Sequence, residues 1–164
     1  MRHFLPDLRG RSIRVAIVMK ISAKGRYGLV AMTHLAQNFN SGTPITIISI
    51  SNKLGISKIY LEQVFALLKR AKLVTSIKGS QGGYQLMQKP SEITVYDILS
   101  AIELSLMEPT ISESRFPELD KAINTCVYEP LDKRIFELLK SVTLEDLLNA
   151  VHKEMDTSSL MYFI

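Results

Sequence analysis

Ser57, Lys58, Tyr60, Glu62 and Gln63 crowd one short stretch, and each carries a group that can hydrogen-bond to a nucleic acid. A glutamine amide sets a donor beside an acceptor as adenine's exposed edge requires. A glutamate carboxylate accepts from cytosine, and tyrosine or serine hydroxyls meet phosphate or base. A second cluster runs Lys78-Gly79-Ser80-Gln81-Gly82-Gly83. It places a cation and two polar side chains among glycines, whose backbone is expected to approach a ligand without Cβ clashes. A third gathers Lys20, Lys24 and Arg26 at the expected start of a helix, where the dipole disfavours cations unless an anion such as a phosphate lies nearby. Lys69, Arg70 and Lys72 fall farther along and suit a phosphate backbone better than bases. Enzymatic chemistry finds less support. His3, His34 and His152 are scattered, the single thiol Cys126 has no evident histidine partner, and no P-loop glycine pattern occurs. His34 is read as an ordinary helix side chain. A solvated helix and a plain hairpin would explain each cluster alone; their order, spacing and charge together point to duplex DNA.

Charge divides the chain. Residues 1–90 hold 14 Lys and Arg against Asp7 and Glu62, whereas residues 91–164 hold 6 against 14 Asp and Glu, within a net charge of +4. A basic half of this kind marks a polyanionic partner. At 164 residues the chain can bury one core and carry an appended element. One cysteine excludes an intramolecular disulfide and suits a reducing cytoplasm. No apolar run reaches membrane-span length, and the stretch near Val15–Val18 is too short for a signal peptide. Met19-Lys-Ile-Ser reads as a natural start. Residues 1–18 are therefore an N-terminal extension, either a start-site artefact or a short basic arm.

The elements that must position these groups follow from periodicity. A helix is predicted from Ser22 to about Asn40, with Leu29, Met32, Leu35, Ala36 and Phe39 at helical spacing and Ser22 as N-cap. Thr46–Leu54 has isoleucines that favour a strand, but Thr46 as cap and Gly55 as stop favour a short helix. What decides is the next helix, capped by Ser57 with the stripe Leu61, Val64, Phe65, Leu68 and Ala71. The pair makes a helix-turn-helix. From Leu73 the period becomes two, breaks at Gly79–Gly83 and resumes at Tyr84, as in a hairpin; Pro90 closes the module. Thr94 and Asp97 form a capping box ahead of Val95, Ile98, Leu99 and Ile102. Met107–Pro130, with three prolines, reads as a long connection holding at most one short helix. Leu131, Ile135, Leu138, Leu139 and Val142 restore a stripe, and Thr143 with Asp146 caps a last helix through Val151. The fold class is mainly α with a small β-wing: a winged helix-turn-helix domain over 19–90 and an effector and dimerisation region over 91–164. The latter carries a long helix near 130–142 and the apolar tail Leu160–Ile164.

Met19-Lys-Ile-Ser-Ala-Lys-Gly-Arg-Tyr-Gly-Leu, then Tyr60-Leu-Glu-Gln, then Lys78 to Tyr84 resembles the Rrf-two family of bacterial winged-helix regulators, closely from Met19 to about Ile102. The resemblance implies a homodimer joined by a long helix, best matched by Pro130 to Val142, with each protomer reading half of a dyad-symmetric operator. It places Tyr60, Glu62, Gln63 and Lys78 at DNA-reading positions. Cluster-bearing members have three cysteines in the segment matching Glu108–Pro130. Only Cys126 stands there, so no iron–sulfur cluster and no metal are expected. That departure points to the branch that represses cysteine and sulfur metabolism. Its corepressor is cysteine synthase (O-acetylserine sulfhydrylase), which takes a chain end such as Tyr162, Phe163 and Ile164 and is released by its substrate. Packing of the tail on its own domain, an interaction module holding the synthase, and a redox-sensing thiol at Cys126 stay open as alternatives.

Overall fold

The computed structural model describes residues 14–16, 21–80, 82–103, 106, 110–112 and 116–161. A strand, β1 (Arg14–Ala16), lies within the N-terminal extension and pairs antiparallel with residues 110–112. Helix α1 (Ala23–Gln37) starts where the Ser22 hydroxyl accepts from the Gly25 N–H at 3.2 Å. It buries Met32, Leu35 and Ala36 and ends at Gln37, the chain then tightening into a single 3-10 turn, Phe39–Ser41. Thr46 caps α2 (Ile47–Leu54), accepting from the Ser49 N–H at 3.0 Å, and Gly55 ends it in the left-handed region at φ 65°. The isoleucines of this segment thus form a helix, as the capping residues require.

Helix α3 (Lys58–Arg70) buries Leu61, Val64, Phe65 and Leu68 completely. Two expectations fail at its ends. Ser57 occupies the N-cap position, but its hydroxyl makes no capping bond. Ala71 is exposed rather than part of the stripe, because the helix has already ended. Lys72 turns left-handed (φ 59°), and the Leu73 N–H donates to the Leu68 carbonyl at 3.0 Å, closing the helix in a Schellman turn. Strands β2 (Val74–Ile77) and β3 (Gly83–Leu86) form the hairpin, registered from Val74 opposite Leu86 to Ile77 opposite Gly83. Ile45 adds a third edge, exchanging both backbone hydrogen bonds with Tyr84 at 2.8 and 3.0 Å.

Pro90 does not end the core. Helix α4 (Val95–Ile102), opened by the Thr94–Asp97 capping box, contributes Ile98 and Ile102 to the same buried cluster as α1 and α3. α1 meets α4 at Gly28, where a Cβ would collide with the Ile102 side chain. Strand β4 (Thr110–Ser112) is the partner of β1.

The segment read as a long connection is largely helical. α5 (Pro117–Ile123) runs through a π turn, Asn124–Tyr128, into α6 (Glu129–Ser141), so the long helical rod starts at Pro117 rather than near 130. The prolines, which usually end helices, here sit where the helix tolerates them. Pro117 sits in the first turn, where its missing N–H costs nothing. Pro130 would press on the Cys126 carbonyl in a regular helix, and the wider π turn relieves that contact. Helix α7 (Leu144–Met161) is capped by Thr143 and Asp146, and Leu144 joins the main core. It extends well past Val151, the expected end. Its start lies beside that of α4: Thr94 and Thr143 form a bridge, and the Leu144 N–H donates to the Ile93 carbonyl at 2.8 Å.

Candidate nucleic-acid interface

With four residues of α3 sealed in the core, helical geometry turns Lys58, Ile59, Glu62, Gln63, Ala66, Lys69 and Arg70 outward, all exposed. Lys58 and Glu62 face each other one turn apart at 3.6 Å. A pair this exposed is worth only about 0.2–0.5 kcal/mol, so either partner is easily traded for a phosphate or a base. The pairing also screens the one acidic residue on the helix. Gln63 and Ser57, which makes no capping bond, line a recess of about 350 Å³ together with Tyr27, Ile56, Ile59 and Tyr60.

Tyr60, expected at a DNA-reading position, is only partly exposed. Its ring stands edge-on to Tyr27 with centroids 5.5 Å apart, and the Lys24 ammonium lies 5.9 Å from its centroid. It thereby joins the first turns of α1 to α3, so Lys24 is positioned relative to the recognition helix. Arg26 is exposed on the same end of α1.

The anion expected at the start of α1 is internal. Glu103, at the end of α4, accepts the Ser22 N–H at 2.8 Å. The helix dipole is answered by this carboxylate, which leaves Lys24 and Arg26 to act as side-chain cations. No local signal announces the contact, since its partners lie 81 positions apart in the chain.

At the wing, Lys78 and Ser80 are exposed at the tip beside Gly79 (φ 114°), whose Cβ position is open. The other two glycines serve the wing itself. A Cβ on Gly82 would meet the Ile77 carbonyl oxygen at 2.5 Å, and one on Gly83 the Ile45 carbonyl oxygen at 2.6 Å. Their missing side chains make room for protein backbone, not for a ligand. Lys69 donates to the Ser76 hydroxyl and ties the far end of α3 to β2. Lys20, Gln81, Tyr162, Phe163 and Ile164 lie outside the described residues. Cys126 is exposed in the π turn. The residue type of Ile59 carries no nucleic-acid signal, although its position off the apolar stripe turns it outward. His34 is buried, its ring nitrogen Nδ1 3.1 Å from the Gln37 side-chain oxygen.

A model of the Rrf2 family, described as iron-dependent transcriptional regulators, matches residues 21–150. The chain belongs to the Rrf2 family. The regulator CymR of Bacillus subtilis is 38% identical over 149 residues, spanning 89% of this chain and 100% of that one. IscR of Klebsiella pneumoniae is 35% identical over 133 residues, 80% of each. The fold matches the structure of CymR, described as the global cysteine regulator of B. subtilis, with a TM-score of 0.71 and 36% identity, covering 81% of this chain and 98% of that one. This Rrf2 protein is therefore a winged-helix, DNA-binding transcription regulator, not an enzyme. The iron of the family description needs donors. The sequence has one cysteine, and among the described residues no group of three or more His, Cys, Asp or Glu is placed to hold a metal ion. An iron–sulfur cluster takes four ligands, and the residues present do not fit one. Among those residues no helix is long and apolar enough to cross a membrane.

Proposed function

We propose that this regulator is a homodimer that represses genes of cysteine and sulfur metabolism and works without an iron–sulfur cluster. The observation that carries the dimer is an uncovered apolar stripe on the α5–α6 rod. Leu119, Ile123, Val127, Leu131 and Leu138 recur mostly at four-residue steps, and each is between 45% and 62% exposed. A ridge of this size on a helix is an interface without its partner. A second copy related by a twofold axis covers it and presents two α3 helices and two wings, the arrangement that reads a palindromic operator. The cysteine assignment rests on the likeness to CymR along its whole length and on the single thiol. Cysteine synthase as corepressor, contacting Tyr162–Ile164, follows from the same likeness.

The test is fluorescence anisotropy of the full chain against promoter fragments from cysteine and sulfur genes, with an unrelated duplex as control. Tight, salt-sensitive binding to the former is expected, and titration with cysteine synthase should tighten it only while Tyr162–Ile164 are present. Failure to bind any duplex at low salt overturns the reading. Binding that the synthase leaves unchanged removes the corepressor and keeps the regulator.

A further inference from the structure

We infer that Ile59 reads the 5-methyl group of a thymine in the operator half-site. The inference rests on the DNA-binding reading above and goes beyond it by naming one base and the atom recognised. Ile59 is 70% exposed, the most exposed large apolar side chain among the described residues. It does not sit on a stray surface. Leu61, Val64, Phe65 and Leu68 define the core side of α3, and the opposite side is centred on Ile59 and Ala66, with Glu62 and Gln63 between them one turn on.

Each neighbour restricts what can meet Ile59. Lys58 leans toward Glu62, leaving the isoleucine uncovered on that flank, and Ala66 is short enough to let the helix axis come close to base edges. The surrounding cations Lys58, Lys69 and Arg70 suit a polyanion rather than an apolar protein surface. Among the base edges of a duplex major groove, lined by donors and acceptors, the thymine C5 methyl is the distinctive apolar group, and phosphates offer none. A β-branched side chain is stiff about χ1, so its methyl groups are already aimed when the helix docks. Gln63, on the same face and one turn away, is placed to hydrogen-bond an adjacent base while Ile59 packs on the methyl.

The experiment begins with selection of an operator from randomised duplexes by the full-length protein. Each thymine of one half-site is then replaced in turn by uracil, which deletes only the methyl. At one thymine the native protein should lose about fourfold in affinity, the value of one buried methyl group, and Ile59→Ala should bind thymine and uracil operators equally. Ile59→Val should keep part of the discrimination. Because the side chain is exposed, thermal melts of both variants should match the native protein. A native protein indifferent to uracil at every thymine, or an Ile59→Ala variant with undiminished discrimination, overturns the inference while leaving DNA binding intact. A selection that enriches no sequence overturns the DNA-binding reading with it.

Discussion

Gly83 lies where the backbone of Ile45 passes so close that a Cβ would stand 2.6 Å from its carbonyl oxygen. That approach supports two hydrogen bonds between Ile45 and Tyr84, and Tyr84 in turn packs on Phe65 with ring centroids 4.5 Å apart. A glycine that looks like wing-tip flexibility is thus what fastens the wing to the recognition helix. Gly83→Ala should lower stability by about 1–3 kcal/mol, the scale of an overpacked contact or a broken buried hydrogen bond, measured by urea melts. A variant as stable as the native protein would show that the strand can move away at no cost. The polar residues of the interface separate by what they touch. Gln63→Ala should cost about 1–3 kcal/mol on the best operator and blur the preference at one position. Arg26→Ala should weaken all duplexes alike and flatten the slope of log affinity against log salt by about 0.9. The residues facing outward on α3 could be read from periodicity because the helix repeat alone assigns them. The duties of Gly83 and Glu103 could not, because each depends on a backbone atom brought near only by the folded chain.

At the level of elements, the helix starts that carry a complete local signal appear where the sequence puts them: Ser22, Thr46, the Thr94–Asp97 box and the Thr143–Asp146 box. Capping is a bond between neighbours in sequence, so sequence suffices. Ser57 shows the limit, since a hydroxyl at the right position makes no bond in this backbone conformation. The α5–α6 rod was obscured for a different reason. Prolines normally end helices, and the π turn that admits Pro130 has no residue signature of its own. Asp97 links these elements. Burial alone would raise its carboxyl, but hydrogen bonds from Thr94 and Lys140, with the Lys140 charge, outweigh that and hold it below the ordinary value of 3.8. The Lys140 ammonium lies 2.9 Å from the carboxylate and 4.5 Å from the Tyr96 ring centroid, clasping α6 to α4. A carboxyl lowered on folding stabilises the protein above its unfolded pKa, and that contribution disappears as pH falls through the folded value. Asp97→Ala should therefore cost about 1 kcal/mol at pH 7, and the gap between variant and native should close below pH 4. Asp146 is lowered in the same direction by its bonds to Thr143, so the variant keeps a weaker acid sensitivity of its own. A gap of constant size from pH 7 to pH 3 would mean that Asp97 acts by packing rather than charge.

On the scale of the whole molecule, the basic charge and the apolar stripe of α5 and α6 belong to different halves of the chain. The cations gather on α1, α3 and the wing, while the acidic half carries the uncovered stripe of α5 and α6. The polarity was plain in the sequence, yet the stripe was not, because a helix's apolar residues look the same whether they face their own core or a second chain. Only Leu139 of α6 is buried, although Leu131 and Leu138 share its periodic pattern. Leu131 offers the decisive variant because it is already 49% exposed in one chain. Replacing it by glutamate should change the stability of the single chain by no more than about 0.5 kcal/mol, as surface substitutions do. In a dimer the same change sets two carboxylates into a dry seam, which is severely unfavourable. Sedimentation velocity should then show a monomer, and operator affinity should fall by about 10²–10⁴-fold, since linkage of two half-sites is lost. Affinity for an isolated half-site should hold, because α3 and the wing are untouched. A Leu131→Glu protein that still sediments as a dimer and binds the full operator undiminished would place the subunit contact somewhere other than this rod.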